Sequence, residues 1–196
     1  MVTNTLHFKP VAPEFISAYT QRLHAEVKGG AVGYYHLPSA GEAIIDQALR
    51  FSQNHAWIEE VVVIGIGGSS LGPKAVATML ASTKNTPSPN LHFIENLDPW
   101  SVERLLSSLT LEKTLFLIVS KSGTTIETIS LAKVVMAQMG CLPGSFQFSD
   151  HFAVITDQNS PLDQFAEQFG LHAFHIPQNV GGRFSVLSAV GLVPLT

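Results

Sequence analysis

Along this chain the apolar residues change their rhythm once, near residue 57. Before that point they follow a helical period. From Pro13 to about Lys28, the segment PEFISAYTQRLHAEVK spaces Phe15, Tyr19, Leu23 and Val27 four apart, predicting a helix with one apolar stripe. Pro13 and Glu14 suit its first turn, and Gly29-Gly30 end it. A second helix is expected over PSAGEAIIDQALRFSQNH with Ser39 as its cap. Residues 1–12, polar and closing on Pro10 just before Pro13, read as an irregular lead-in.

After residue 57, short β-branched or apolar runs alternate with helical segments. The runs are Val61–Ile66, Leu91–Glu95, Thr114–Val119, Phe152–Thr156 and Leu171–His175. Several are apolar throughout, as expected for strands covered on both faces of a parallel sheet. Asp98-Pro99 predicts a cap and a first-turn proline for PWSVERLLSSL. Asn159 or Ser160, followed by Pro161, does the same for PLDQFAEQF, and STKNTPSPN (82–90) reads as a surface connection. The expected architecture is α/β: a three-layer sandwich, flavodoxin-like, with a parallel sheet of about five strands flanked by helices and preceded by two N-terminal helices. The expected division is a lead-in at 1–12, helices at 13–56 and one α/β domain at 57–196. GGRFSVLSAVGLVPLT opens as a glycine turn and an amphipathic helix, then stops at Thr196 without a polar tail, which reads as a chain cut rather than finished.

Composition narrows the classes. Charged residues are 13% of the 196, against about 25% in typical domains, while 45% are hydrophobic. A large core and a weakly charged surface follow, with apolar surface to spare for a partner or for more chain. The net charge of −4 and the lack of any basic run argue against nucleic acid as partner. Cys141 stands alone, so no internal disulfide forms and a reducing, cytoplasmic setting is expected, the thiol acting as a small buried hydrophobe. No apolar stretch reaches the roughly 20 residues of a membrane span, and the start, MVTNTLHFKPVAP, has no secretion-signal pattern. No metal site is expected: His172 and His175 lie far along the chain from other ligand types, and His24, His36 and His55 read as surface or packing residues.

Ligands of open parallel sheets bind beyond the carboxyl ends of the strands, so the loops there carry the candidate chemistry. The first is GIGGSS. Gly65 and Gly67 match a dinucleotide fingerprint, but Ser70 stands where the third glycine belongs. A P-loop would need a lysine straight after its last glycine; here Gly72 is followed by Pro73 and only then Lys74. What remains is a tight turn with hydroxyls near a helix start, which a ligand-free turn would also explain. The second loop, IVSKSGTTIET (118–128), packs Ser120, Lys121, Ser122, Thr124 and Thr125 ahead of a helix expected from about Thr125 to Met139. Hydroxyls at the positive end of a helix suit a single terminal phosphate. Thr124 with Glu127 also fits a capping box, though that accounts for one hydroxyl only. In the third, NVGGRFSVLSAVG, Gly181-Gly182 allow close backbone approach, and Arg183 is either an ion-pair partner or, the sharper reading, a cation for a developing oxyanion.

Taken in order, IGIGGSSLGP (64–73), VSKSGTTIET (119–128) and GGRFSVLSAVGL (181–192) resemble phosphoglucose isomerase from about residue 30 onward. SKSGTT by itself is shared with the wider sugar-isomerase (SIS) fold of phosphosugar isomerases, synthases and regulators; the third segment selects the family. The resemblance implies that Ser120, Ser122 and Thr125 bind a sugar's phosphate with help from Lys121 and Thr124. It implies that Gly68 and Ser69 line the sugar, and that Gly182 and Arg183 sit at the reacting end with Arg183 steadying an enediolate. It further implies glucose 6-phosphate–fructose 6-phosphate isomerisation, no cofactor, a homodimer, and a second half of the chain that carries the proton-transferring glutamate and the ring-opening histidine and lysine. Many members have Thr-Phe where Ser122-Gly123 stands here, a change that resembles bacterial and archaeal variants and keeps a hydroxyl. Two other readings compete: a regulatory SIS module that binds phosphosugar without catalysis, and a nucleotide-dependent oxidoreductase with Glu95 as its ribose ligand.

Overall fold

The computed structural model describes residues 11–81, 88–141 and 146–196. Most of the expected lead-in and of the 82–90 connection lies outside them. Five parallel strands form one sheet in the order β2-β1-β3-β4-β5. They are β1 (Glu60–Ile64), β2 (Asn90–Ile94), β3 (Thr114–Val119), β4 (Phe152–Asp157) and β5 (His172–Ile176). Each expected apolar run became a strand, shifted by no more than two residues. Register follows the burial: Val62 lies beside Phe116 and His92, and Ile118 beside Val154.

Alternation along the strands assigns side chains to two cores. Val62, Ile64, Phe116, Ile118, Phe152 and Val154 face one side. There they meet α4 (Pro99–Ser108), α5 (Ile126–Met139), α6 (Phe146–His151) and α7 (Pro161–Phe169). Val63, Leu115, Leu117, Val119, Ala153, Ile155 and Phe174 face the other, against α2 (Leu37–Asn54) and α8 (Ala189–Leu195). β3, at the centre, is buried at all six positions, whereas the edge strand β2 is exposed at its start. Phe116 and Phe152 stack at 5.3 Å and are fully buried, each ring contributing about 1.5–3 kcal/mol by its removal from water. Cys141 is buried in the first core, and burial pushes its thiol pKa up, as suits an inert packing residue.

The two N-terminal helices behave differently. α2 lies on the sheet: Phe51 packs edge-on against Phe174 at 5.4 Å, and the Gln47 amide donates to His172 Nε2 at 3.2 Å. α1 (Pro13–Gly29) has no buried residue; Phe15 and Tyr19 of its stripe are 66% and 64% exposed. The periodicity located that helix without locating anything for it to pack on. Local signals were partly corrected too. Asp98 and Ser160 cap α4 and α7, accepting from the Ser101 and Asp163 amides. Ser39 does not cap α2, because the helix starts two residues earlier at Leu37 and holds Pro38 in its first turn. The Thr124–Glu127 box does not form either. α5 starts at Ile126 with Thr125 at the cap position, and no side chain bonds to its first turn.

Candidate functional site

The chain runs from β1 outward to β2, then crosses back to β3 and continues through β4 and β5 in the other direction. The loops after β1 and β3 therefore diverge at the sheet's switch point and leave a crevice between them. The GIGGSS loop occupies one side. A short 3₁₀ turn over Gly67–Ser69 leads into α3 (Leu71–Leu80), whose start has no side-chain cap. Of its two serines, Ser70 is fully buried and donates weakly to the Gly67 carbonyl at 3.4 Å, while Ser69 is half-buried. Position, more than residue type, separates the serine at the crevice from the one turned inward.

The β3–α5 loop forms the other side. Ser120 is almost wholly buried and donates to Thr125 Oγ1 at 3.1 Å; Ser122 and Thr124 are exposed, with their hydroxyls 3.0 Å apart. Gly123 turns the chain at φ +67°, a conformation that side-chain-bearing residues rarely adopt, against the backbone amide of Leu162. Unlike α4, α7 and α8, whose first turns are bonded by Asp98, Ser160 and Ser188, α5 presents its first amides without a side-chain partner. Those amides and the helix dipole favour an anion at this wall, beside Glu127 of the same first turn and the paired Lys121 of the loop.

The third loop joins the first by backbone contact. A Cβ on Gly68 would lie 2.3 Å from the Gly182 carbonyl oxygen and 3.1 Å from the Arg183 nitrogen. Glycine at 68 is thus a condition for the close backbone approach of the Gly182–Phe184 turn to the first loop. Arg183 is exposed on the short turn Gly182–Phe184, and Ser185 ties that turn by donating to the Gly182 carbonyl at 2.7 Å. Gly68, Ser69, Ser120, Ser122, Thr124, Thr125, Gly182 and Arg183 accordingly all lie at the carboxyl edge of the sheet. Lys121 lies there too, but its ammonium is engaged, paired with Asp157 and donating to the Gln178 carbonyl at 3.4 Å.

Sequence reading missed Thr156, Asp157 and Gln178 and took Ser160 only as a helix cap; these residues hold the second loop from behind. The one signal available was a threonine and an aspartate closing an otherwise apolar strand, FAVITD. Glu95, the ribose ligand of the oxidoreductase reading, is paired with Lys74. Among the described residues no cluster of three or more metal-ligating side chains occurs, and no helix is long and apolar enough to cross a membrane. A groove of about 750 Å³ between α2, α8 and the starts of β1 and β2 is lined by Phe51, Leu91, Leu117 and Val193. It lies at the opposite edge of the sheet and carries none of this chemistry.

Known proteins share the fold and a substantial part of the sequence. The sequence model of phosphoglucose isomerase matches residues 47–196. Glucose-6-phosphate isomerase of Campylobacter jejuni is 42% identical over 195 residues, covering 100% of this chain and 47% of the relative. A hypothetical protein of Thermus thermophilus superposes with a TM-score of 0.78 at 37% identity, over 93% of this chain and 45% of that one. The crystal structure of a glucose-6-phosphate isomerase from Chlamydia trachomatis gives 0.66 at 34% identity, over 76% and 29%. The chain spans about half the length of the curated relatives it matches.

Proposed function

This chain belongs to the phosphoglucose isomerase family, and from that premise we propose that it supplies the phosphate anchor and the electrophile of an aldose–ketose isomerase acting on glucose 6-phosphate and fructose 6-phosphate. The observation that carries this reading is the uncapped start of α5, surrounded by the hydroxyls of Ser120, Ser122, Thr124 and Thr125. In this reading the phosphate sits on those hydroxyls and the first amides of α5. Gly68 and Ser69 line the sugar across the crevice.

Isomerisation moves a proton between C2 and C1 through an enediolate, whose oxygen carries the developing charge. In this reading the Arg183 guanidinium is the donor for that oxygen; the backbone contact of Gly68 with Gly182 and the Arg183 nitrogen supports it by joining the two loops. Binding energy gathered at the phosphate holds the reacting carbons in place. The base that carries the proton belongs, by the family's pattern, to the part of the relatives that this chain does not span. We therefore propose that these 196 residues bind sugar phosphate without turning it over. The full-length assembly is proposed to be a cytoplasmic homodimer that uses no cofactor and no nucleic acid.

Calorimetric titration with fructose 6-phosphate tests the anchor, comparing the parent with a Ser120→Ala, Thr125→Ala double variant. Saturable binding that the double variant loses is the expected result; equal binding by the two would sink the assignment. Turnover that survives repurification and disappears in Arg183→Ala would show instead that the chain holds its own base.

A further inference from the structure

The β3–α5 loop makes few bonds that hold it to the body of the domain, and those described above come largely from one short segment, residues 156–163. The Thr156 hydroxyl donates to the Ser120 carbonyl at 2.7 Å, with a longer contact of 3.3 Å to the Lys121 carbonyl. The Asp157 amide donates to the Lys121 carbonyl at 3.0 Å, and the Asp157 carboxylate pairs with the Lys121 ammonium. Gly123 packs on Leu162 and on the Ser160 hydroxyl.

Proton counting gives this network a direction. A carbonyl only accepts, so the single Thr156 proton points at Ser120. The 2.7 Å contact between Thr156 Oγ1 and Ser160 Oγ must then use the Ser160 proton. Ser160 Oγ in turn accepts from the Asp163 amide at 3.1 Å in the first turn of α7. A relay therefore runs from the start of α7, through Ser160 and Thr156, to the Ser120 carbonyl. Thr156 is fully buried and Ser160 and Ser120 nearly so, and donors polarised in series inside a low-dielectric interior strengthen one another. The same Ser120 carbonyl accepts from the Gly123 amide at 3.1 Å, so its orientation fixes the turn on which Ser122, Thr124 and Thr125 stand.

We propose that Thr156 is a positioning residue for the phosphate-binding loop, acting through the Ser120 carbonyl without touching the ligand. This rests on the phosphate reading above. Valine keeps the shape of threonine, removes the donor, and leaves both the Ser120 carbonyl and the Ser160 hydroxyl short of a buried partner. Thr156→Val is expected to weaken binding of fructose 6-phosphate and of inorganic phosphate by about tenfold, as for a buried hydrogen bond lost: the Ser120 carbonyl keeps only the Gly123 amide, and the Ser160 hydroxyl proton loses its acceptor. Thr156→Ser should restore affinity to within about twofold of the parent, because it retains the donor.

Calorimetry on the whole chain reads these affinities, with thermal melts in parallel. Leu106→Ala, a buried first-core change on α4, gives a variant of lowered stability for comparison. It should lose stability and keep its affinity. If Thr156→Val binds as the parent does, or loses affinity only in step with the melting loss seen for Leu106→Ala, the positioning role is refuted. Should Thr156→Val not fold, Ser160→Ala decides: it removes the upstream donor and is expected to weaken phosphate binding several-fold, so unchanged affinity overturns the relay. No binding by the folded parent defeats the phosphate reading itself and the proposal with it. Parent binding that Thr156→Val leaves intact defeats the proposal alone.

Discussion

Replacing Gly68 with alanine tests the contact on which the geometry of the site turns. The added methyl would sit 2.3 Å from the Gly182 carbonyl oxygen and 2.6 Å from its carbon. Real Cβ contacts essentially never fall under 3.0 Å, so the two loops must part by at least 0.7 Å (3.0 − 2.3). Both obstructing atoms are backbone, so no side chain can swing away. Yielding is resisted by Ser185, which holds the Gly182 carbonyl, and by the start of α8 packed on the second core. Overpacking of this kind costs about 1–3 kcal/mol. For a chain of this size that lowers the melting temperature by roughly 2–12 °C. If the chemistry proposed for Arg183 holds, a displacement near 1 Å also costs up to about a hundredfold in a reaction that depends on the guanidinium. Differential scanning calorimetry of Gly68→Ala beside Gly182→Ala provides the assay. A Cβ on Gly182 meets nothing within 4 Å, so that variant should melt with the parent. Equal melting of all three proteins, with Gly68→Ala unchanged in fructose 6-phosphate affinity, would refute the claim that this contact assembles the site.

Gly123→Ala combines a φ of +67° with a Cβ 2.7 Å from the Leu162 amide, and should destabilise by about 2 kcal/mol or more in urea melts, while also weakening phosphate binding. His172 is held below its ordinary pKa of 6.5, first by burial and then by His55 and His175. The unfolded chain thus binds more protons as pH falls from 6.5 toward the depressed folded value, so stability should drop through that window and His172→Phe should flatten the drop in pH-dependent urea melts. On α1, Phe15→Gln with Tyr19→Gln should leave the melting temperature within about 1 °C, since neither ring is buried; a fall of several degrees would show that the stripe packs in solution.

Linear pattern determined a great deal here because the relevant physics is local. A buried parallel strand needs an unbroken run such as TLFLIV, an N-terminal cap needs an oxygen such as that of Asp98 just before Pro99, and a tight loop needs glycine. Those demands are written in adjacent residues, so the five strands, two of the caps and the positions of the three glycine-bearing loops beyond the strands were legible. The family resemblance was carried by those same loops.

Tertiary structure decided whatever depends on which residues far apart in sequence come to touch. It left α1 without a core face while placing α2 against Phe174, although both helices show helical periodicity. It moved the start of α5 to Ile126, which removed the Thr124–Glu127 box and left the helix amides open. It buried Ser70 and left the adjacent Ser69 only half-buried. Lys121 was drawn to Asp157, and Thr156 was set behind Ser120, across 36 residues. No window along the chain contains these partners together. They meet only because β1, β3 and β4 lie side by side, and that adjacency belongs to the sheet, not to any one segment of it.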